Sequence, residues 1–207
     1  MMYIRFIQLL VVFLIISFSL YGQKDYEKGY VVNLENDTLY GKIKDRKPGL
    51  FPEIYQKIRF KKEGSHFRKK YNPNQIIGYK AGERVYESIG IERESHLLRT
   101  RYIITPNSQK SFLRVVQKDN LSYYHWEYID NESNTLGYIP LLHKEGRTAM
   151  VRATQGILGL KKKILSEYFS DCPELVRKIE KKEIRTPEDV LEFYGYLCAV
   201  EQLLMIR

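Results

Sequence analysis

Gly29-Tyr-Val-Val-Asn-Leu-Glu-Asn-Asp-Thr-Leu-Tyr-Gly-Lys-Ile-Lys44 reads as two strands joined by a tight turn at Asn36-Asp37. β-Branched and aromatic residues flank a pair of residue types that tolerate the positive φ such a turn needs. The same grammar repeats downstream. Residues 57–62 and 67–71 flank Glu63-Gly64-Ser65; Asn72-Pro73-Asn74 turns the chain into 75–80, and Ala81-Gly82 turns it again into 84–91. Further strand candidates are 97–104, 111–118, 121–129, 136–141 and 148–153, separated by Pro106-Asn107-Ser108, Asp119-Asn120 and the polar run 131–134. About ten short strands, with turn signals roughly every 8 to 12 residues, predict an antiparallel sheet, roll or barrel.

At Thr154 the period changes. Ile157, Leu160, Ile164, Leu165, Tyr168 and Phe169 recur at the three- and four-residue spacing of a helix face. Asp171 and Glu174 have capping-box spacing ahead of Leu175, Val176 and Ile179. Thr186-Pro187-Glu188-Asp189 is a cap, a first-turn proline and early acidic charge, opening a third helix that carries Val190, Leu191, Tyr194, Leu197, Cys198 and Leu204. The expected class is α+β: an antiparallel β domain over 23–153 and about three helices over 154–207 packed on it.

Upstream, Phe6 to Leu20 is a nearly unbroken apolar run behind a short start carrying Arg5, and polar sequence begins at Gln23. These are the parts of a secretory signal, placed at residues 1–22. The run is 15 residues long, whereas a spanning helix needs roughly 20. The expected product is exported to the periplasm or outer envelope and keeps no stable membrane span once the signal is cut. An uncleaved N-terminal anchor is the other outcome. Ser17-Phe18-Ser19 offers one cut site and Gly22 a second.

The hairpin quoted above resembles the opening of a group of uncharacterised exported bacterial envelope proteins, which begin just after their signal with a G-x-V…D-T-L-x-G-x-I hairpin. The segment Lys161-Lys-Lys-Ile-Leu-Ser-Glu-Tyr-Phe-Ser-Asp-Cys-Pro-Glu-Leu-Val-Arg-Lys-Ile179 is similar to the helical end of the same group. The resemblance implies export and a β-then-α layout, and it implies no activity.

Charge is the most informative feature for function. The chain carries 34 Lys and Arg against 25 Asp and Glu, a formal net charge of +9. Between Lys42 and Lys70 stand eleven Lys or Arg against three acidic residues, an excess of eight. In Lys57-Ile58-Arg59-Phe60-Lys61, strand alternation puts three cations on one face and two apolar residues on the other. With Arg68 and Lys70 from the partner strand, Lys57, Arg59 and Lys61 form a candidate anion-binding strip. It suits an anionic envelope polymer or glycolipid headgroup; a solvated strip that guards an edge strand is the structural alternative. Nucleic acid is not an expected partner, since export removes it and no recognition motif is present.

Tyr124, Trp126 and Tyr128 share one face of the densest aromatic stretch and form a second candidate, either core or a platform for a sugar or apolar ligand. Cys172 and Cys198, the only cysteines, would be antiparallel neighbours at helix ends, so they form a bridge in an oxidising compartment or remain two small buried residues. The four histidines lie in different segments without metal-ligand spacing, and no nucleophile, phosphate-loop or dinucleotide motif occurs. No cofactor, metal site or catalytic residue is therefore assigned. The expected function is non-catalytic binding or structural support at the envelope, with a hydrolase acting on glycan or peptide as the alternative.

Overall fold

A computed structural model describes residues 26–46, 50–51, 57–96, 99–130, 133, 135–155 and 159–198. The signal-like run, both candidate cut sites, Ile157 and Leu204 lie outside the described residues. The described strands are β1 (Glu27–Val32), β2 (Thr38–Lys44), β3 (Ile58–Lys62), β4 (Lys69–Tyr71), β5 (Gly78–Ala81), β6 (Arg84–His96), β7 (Arg99–Ile104), β8 (Lys110–Gln117), β9 (Leu121–Ile129), β10 (Leu136–Lys144) and β11 (Ala149–Arg152). Three helices follow: α1 (Lys162–Tyr168), α2 (Pro173–Glu180) and α3 (Pro187–Phe193), the last running into a π-helical turn at Tyr194–Cys198. Among the described residues no helix is long and apolar enough to cross a membrane.

β6 organises the sheet because it has more partners than edges. Its first half pairs with β5 on one edge and β8 on the other; from Ile91 onward the first edge passes to β7. The order β6-β7-β11-β10-β9-β8 then returns to β6, closing a six-stranded antiparallel barrel. Gly90 sits where the partner changes, and a β-carbon there would stand 2.3 Å from the Thr105 carbonyl oxygen. Such close backbone approach is open only to glycine.

Alternation along the barrel strands separates two cores. Inward lie Ile91, Tyr102, Leu113, Tyr124, Trp126, Ile139, Leu141 and Met150, so the barrel is filled by side chains. Outward from β9, β10 and β11 lie Leu121, Tyr123, Leu142, Val151 and Ala153, and the helices cover them with Leu165, Phe169, Leu175, Ile179, Val190 and Leu191. Lys144 locks that cover in place. Its ammonium reaches the Tyr168 carbonyl at 3.0 Å, pairs with Asp171, and lies 4.7 to 5.1 Å from the ring centres of Tyr168, Phe169 and Tyr194. Burial pulls this lysine below its ordinary pKa. Desolvation pushes the Asp171 carboxyl up, but its contact with Lys144 wins and holds it below the usual carboxylate range. Cys172 and Cys198 are joined in a disulfide, with Cα atoms 5.7 Å apart and 26 residues of separation. The bridge ties the start of α2 to the end of the π turn, and closing a loop of that size contributes roughly 3 kcal/mol.

The remaining strands form a wing in the order β5-β1-β2-β3-β4, attached along the first half of β6. One wing face is apolar: Val31, Ile43, Ile58, Phe60, Tyr71, Tyr79, Ala81 and Tyr86 pack together with Ile76 and with Phe112 of β8. Phe112 points out of the barrel, so the wing curls back onto the barrel's outer wall. The chain leaving β2 fixes that contact. Arg46 is buried, donates to Glu127 of β9 at 3.1 and 3.2 Å and to the Phe112 carbonyl at 3.2 Å, and lies 4.8 Å from the Tyr86 ring centre. Glu127 also accepts from the Tyr86 hydroxyl at 3.3 Å. Asp45 accepts from the Tyr79 hydroxyl at 2.6 Å and pairs with Arg84, which also meets Glu27.

The α+β expectation is met at the level of strands before helices, with the sheet resolved into a closed barrel and a wing. Local departures have local causes. The strand expected from Gln75 starts at Gly78 because Pro73–Gln75 is a 3₁₀ turn, capped reciprocally by Asn72 and Gln75. β6 runs to His96 instead of stopping at Ile91, since β7 offers a second pairing edge. The first helix starts only at Lys162, because Thr154 and Leu160 are bridged to each other. The Asp171–Glu174 capping box does not form: Asp171 turns to Lys144, and Cys172 precedes Pro173 without a side-chain cap. Thr186 and Asp189 do cap α3 reciprocally.

Two outcomes follow from these buried charges. Arg46→Ala leaves Glu127 buried without its main counter-charge and is expected to cost about 3 to 5 kcal/mol in denaturant unfolding, more than Arg46→Leu combined with Glu127→Leu, which removes both charges. His125 stacks on Tyr138 at 3.8 Å, and burial, helped by the charge of Arg114, lowers its pKa to about 4. The unfolded chain takes up that proton near the ordinary histidine value and the folded chain resists it, so stability falls as pH drops through about 6.5 toward 4. His125→Phe should flatten the pH dependence of the urea midpoint in that window.

Candidate anion-binding face

Opposite the wing's apolar face, alternation must place Lys28 and Tyr30 of β1, Tyr40, Lys42 and Lys44 of β2, Arg59 and Lys61 of β3, Lys70 of β4 and Lys80 of β5. Register aligns them. Lys28, Lys42 and Lys61 are successive cross-strand partners, and so are Lys44, Arg59 and Lys70. Tyr30 stands opposite Tyr40 on one side and Lys80 on the other. Neighbouring strands lie about 4.8 Å apart, so each rung holds three cations side by side. A groove of about 830 Å³ lies over this surface, lined by Lys28, Tyr30, Tyr40, Lys42, Lys61 and Lys80 and rimmed by the 63–66 turn. The rim adds two acids, Glu63 and Glu83, the second 3.6 Å from Lys80. Lys28, Lys42, Arg59, Lys61 and Lys70 have no ion-pair partner among the described residues.

Like charges directly opposite each other in a sheet are destabilising. Edge protection accounts for Lys69 and Lys70, which lie on the terminal strand β4. It does not account for Lys28 and Lys42, because β1 and β2 are paired along both edges. A local rule broken in the middle of a sheet makes this face the candidate site.

Of the residues expected from the sequence, Arg59, Lys61 and Lys70 lie on this face. Lys57 and Arg68 are exposed just ahead of β3 and β4, with the Arg68 guanidinium 5.7 Å from the Tyr26 ring centre. The expected strip omitted Lys28, Tyr30, Tyr40, Lys42, Lys44 and Lys80. Lys-x-Tyr in β1 and Tyr-x-Lys-x-Lys in β2 carry a period-two signal for five of them. Lys80 needs the pairing of β5 with β1, which no local pattern announces. For the aromatic row the core reading is met and the platform reading is corrected: Tyr124 and Trp126 are 3% and 1% exposed inside the barrel, with Tyr128 packed beside them. That row is interior packing and leaves no platform for a ligand.

A second groove, of about 580 Å³, opens at one end of the barrel and includes Glu87, Lys118, Tyr124 and His143. Its polar groups are engaged with one another. Glu87 takes the Tyr124 hydroxyl at 2.9 Å and the Lys118 ammonium, and His143 meets the Arg147 carbonyl at 2.7 Å.

No family model, curated protein or solved structure matches the chain. The functional reading therefore rests on the wing's own geometry. If the rungs repel, Lys42→Thr, which removes the central charge and keeps a β-branched residue, should stabilise the free protein by about 0.2 to 1 kcal/mol at low salt. The gain should shrink as salt screens the neighbours. Equal unfolding midpoints at low salt would remove the repulsion argument.

Proposed function

We propose that this chain is an exported envelope protein whose wing binds an anionic polymer or glycolipid headgroup and performs no chemistry on it. The observation that carries the reading is the pair of three-cation rungs, of which Lys28, Lys42 and Lys61 lie wholly in strands paired along both edges, a placement that costs stability in the free protein and is relieved by a polyanion. Two further features support it. The signal-like run Phe6 to Leu20 points to a compartment rich in phosphorylated and carboxylated glycans rather than nucleic acid. The groove over the rungs is lined chiefly by ammonium and phenol groups, and among the described residues the Ser65 hydroxyl on its rim accepts from the Phe67 amide and has no hydrogen bond to His66, which favours capture over turnover.

The strands make the surface specific to its sign. Lysine ammonium groups on flexible stems approach phosphate or carboxylate as point charges, without demanding one bidentate geometry. Affinity is then distributed over several weak contacts and depends strongly on salt. The test compares two double variants with the same change in net charge. Lys42→Glu with Lys61→Glu should weaken binding to polygalacturonate and to lipid A micelles by about tenfold or more at low salt and reduce the salt slope. Lys163→Glu with Lys181→Glu, on the helices, should leave both near wild type. Equal weakening by the two pairs would mean that only overall charge matters, and the assignment of the wing would fall.

A further inference from the structure

We infer that the wing groove reads a sugar ring together with its charge: its ligand is a phosphorylated or carboxylated glycan, seated on Tyr40 with its anionic group held by Lys42 and the neighbouring lysines. This rests on the anion-binding reading of the same face and adds the chemical class of what carries the charge.

Three observations support it. First, the tyrosines sit in the middle of the charged surface. Tyr30 and Tyr40 are cross-strand partners, flanked by Lys28 and Lys42 along their own strands and by Lys80 across β5. A surface made only to attract polyanions gains nothing from two aromatic rings at its centre. Second, the rings are fixed and open. Their centres are 6.1 Å apart at an interplanar angle of 69°, an edge-to-face pair that holds Tyr40 in place while leaving it 63% exposed. Neither hydroxyl has a hydrogen-bond partner among the described residues. Each tyrosine thus offers an apolar face for the C–H side of a sugar and a free O–H for its hydroxyls.

Third, the spacing suits a ring and its substituent. Tyr40 and Lys42 are two residues apart on one strand face, about 6.8 Å along the backbone, and the lysine stem can shorten the distance to a charge. Lys28 and Lys61 stand on either side of Lys42, so one phosphate or carboxylate has three ammonium groups within side-chain reach. The groove, about 830 Å³, falls in the range of small-molecule sites and far exceeds the needs of a lone anion.

The experiment pairs probes that carry the same charge with and without sugar: oligogalacturonate against poly-L-glutamate, and lipid A micelles against inorganic polyphosphate. Each is titrated into the full chain and into Tyr30→Leu with Tyr40→Leu, checked by circular dichroism for an unchanged fold, and into the Lys42→Glu, Lys61→Glu pair. The expected result is that the tyrosine variant loses about fivefold or more for a sugar-bearing probe and holds its affinity for the sugar-free partner, whereas the lysine variant loses both. A tyrosine effect confined to lipid A identifies the source as a glycolipid; one that extends to oligogalacturonate identifies soluble glycan as well. Unchanged binding of every probe by the tyrosine variant, with loss in the lysine variant, overturns the sugar assignment and leaves the anion-binding face intact. Equal loss of sugar-bearing and sugar-free probes in the tyrosine variant also overturns it. If the lysine variant binds all four probes like wild type, both readings fall together.

Discussion

Arg46 and Glu127 join the two halves of the sheet through a pair of charges that have lost their water. Arg46 leaves the end of β2, in the wing, while Glu127 points outward from β9, in the barrel wall. Neither can be buried alone without a large desolvation penalty, so the wing has essentially one way to meet the barrel. The tyrosines sharpen that choice. Tyr79 and Tyr86 stack on each other at 4.6 Å, and their hydroxyls end on Asp45 and Glu127, so each carboxylate is held by both a cation and a phenol. Burial raises both phenols above their ordinary range, which keeps them as donors at any physiological pH. The pair therefore fixes an arrangement more than it adds net stability, a role in which buried ion pairs are best attested.

Once the apolar wing face is committed to the barrel, strand alternation commits the other face to solvent. That face needs only to be polar. Threonines, or lysines opposed by glutamates, would satisfy it and would add cross-strand attraction. The chain instead aligns lysine with lysine across β1, β2 and β3, while two of the wing's carboxylates, Glu27 and Asp45, go to the junction with Arg84. The repulsion is tolerable because the same strands bury Val31, Ile43, Ile58 and Phe60 on their reverse. Each such side chain contributes roughly 1.5 to 3 kcal/mol, against at most about 1 kcal/mol lost per opposed like-charged pair. Packing on one face thus offsets the repulsion on the other.

The sequence shows strands and turns well because both are local. Nearly every strand was legible from alternation and from the turn residues between runs, and the Thr186-Pro187-Glu188-Asp189 cap was legible from four adjacent residues. Closure of the barrel was not, since it depends on β6 pairing with β8 and β7 at once, and such choices are made between segments far apart in the chain. The aromatic row in β9 stayed open between core and platform for a related reason. Alternation tells which residues share a face, but both faces of β9 are covered, one by the barrel core and one by the helices and the wing, so no polar contrast separates inside from outside. Asp171 has the spacing of a helix cap, and a buried lysine from β10 outbid the helix for it. The cationic face was half legible: the β3 cations stood out by density, while Lys28 and Lys42 were hidden inside a hairpin whose pattern already had a structural explanation.

The array also constrains the kind of ligand that can hold to it. An exposed ion pair contributes about 0 to 1 kcal/mol, while immobilising a lysine side chain costs about 0.5 to 1.5 kcal/mol. A monovalent anion meeting one lysine therefore gains little. What changes the balance is a second and third contact made by the same molecule, since each later contact forms at high effective concentration. The sheet favours that outcome because its backbone is fixed by hydrogen bonds to neighbouring strands and need not order on binding; only side-chain freedom is lost. Tyr30 and Tyr40 lower the cost further, as rings already held against each other surrender little entropy for the area they cover. A fixed backbone grid carrying flexible cations around an aromatic pair is poorly suited to simple ions, whereas in the polymer of charged rings proposed above each unit would reinforce the hold of the next.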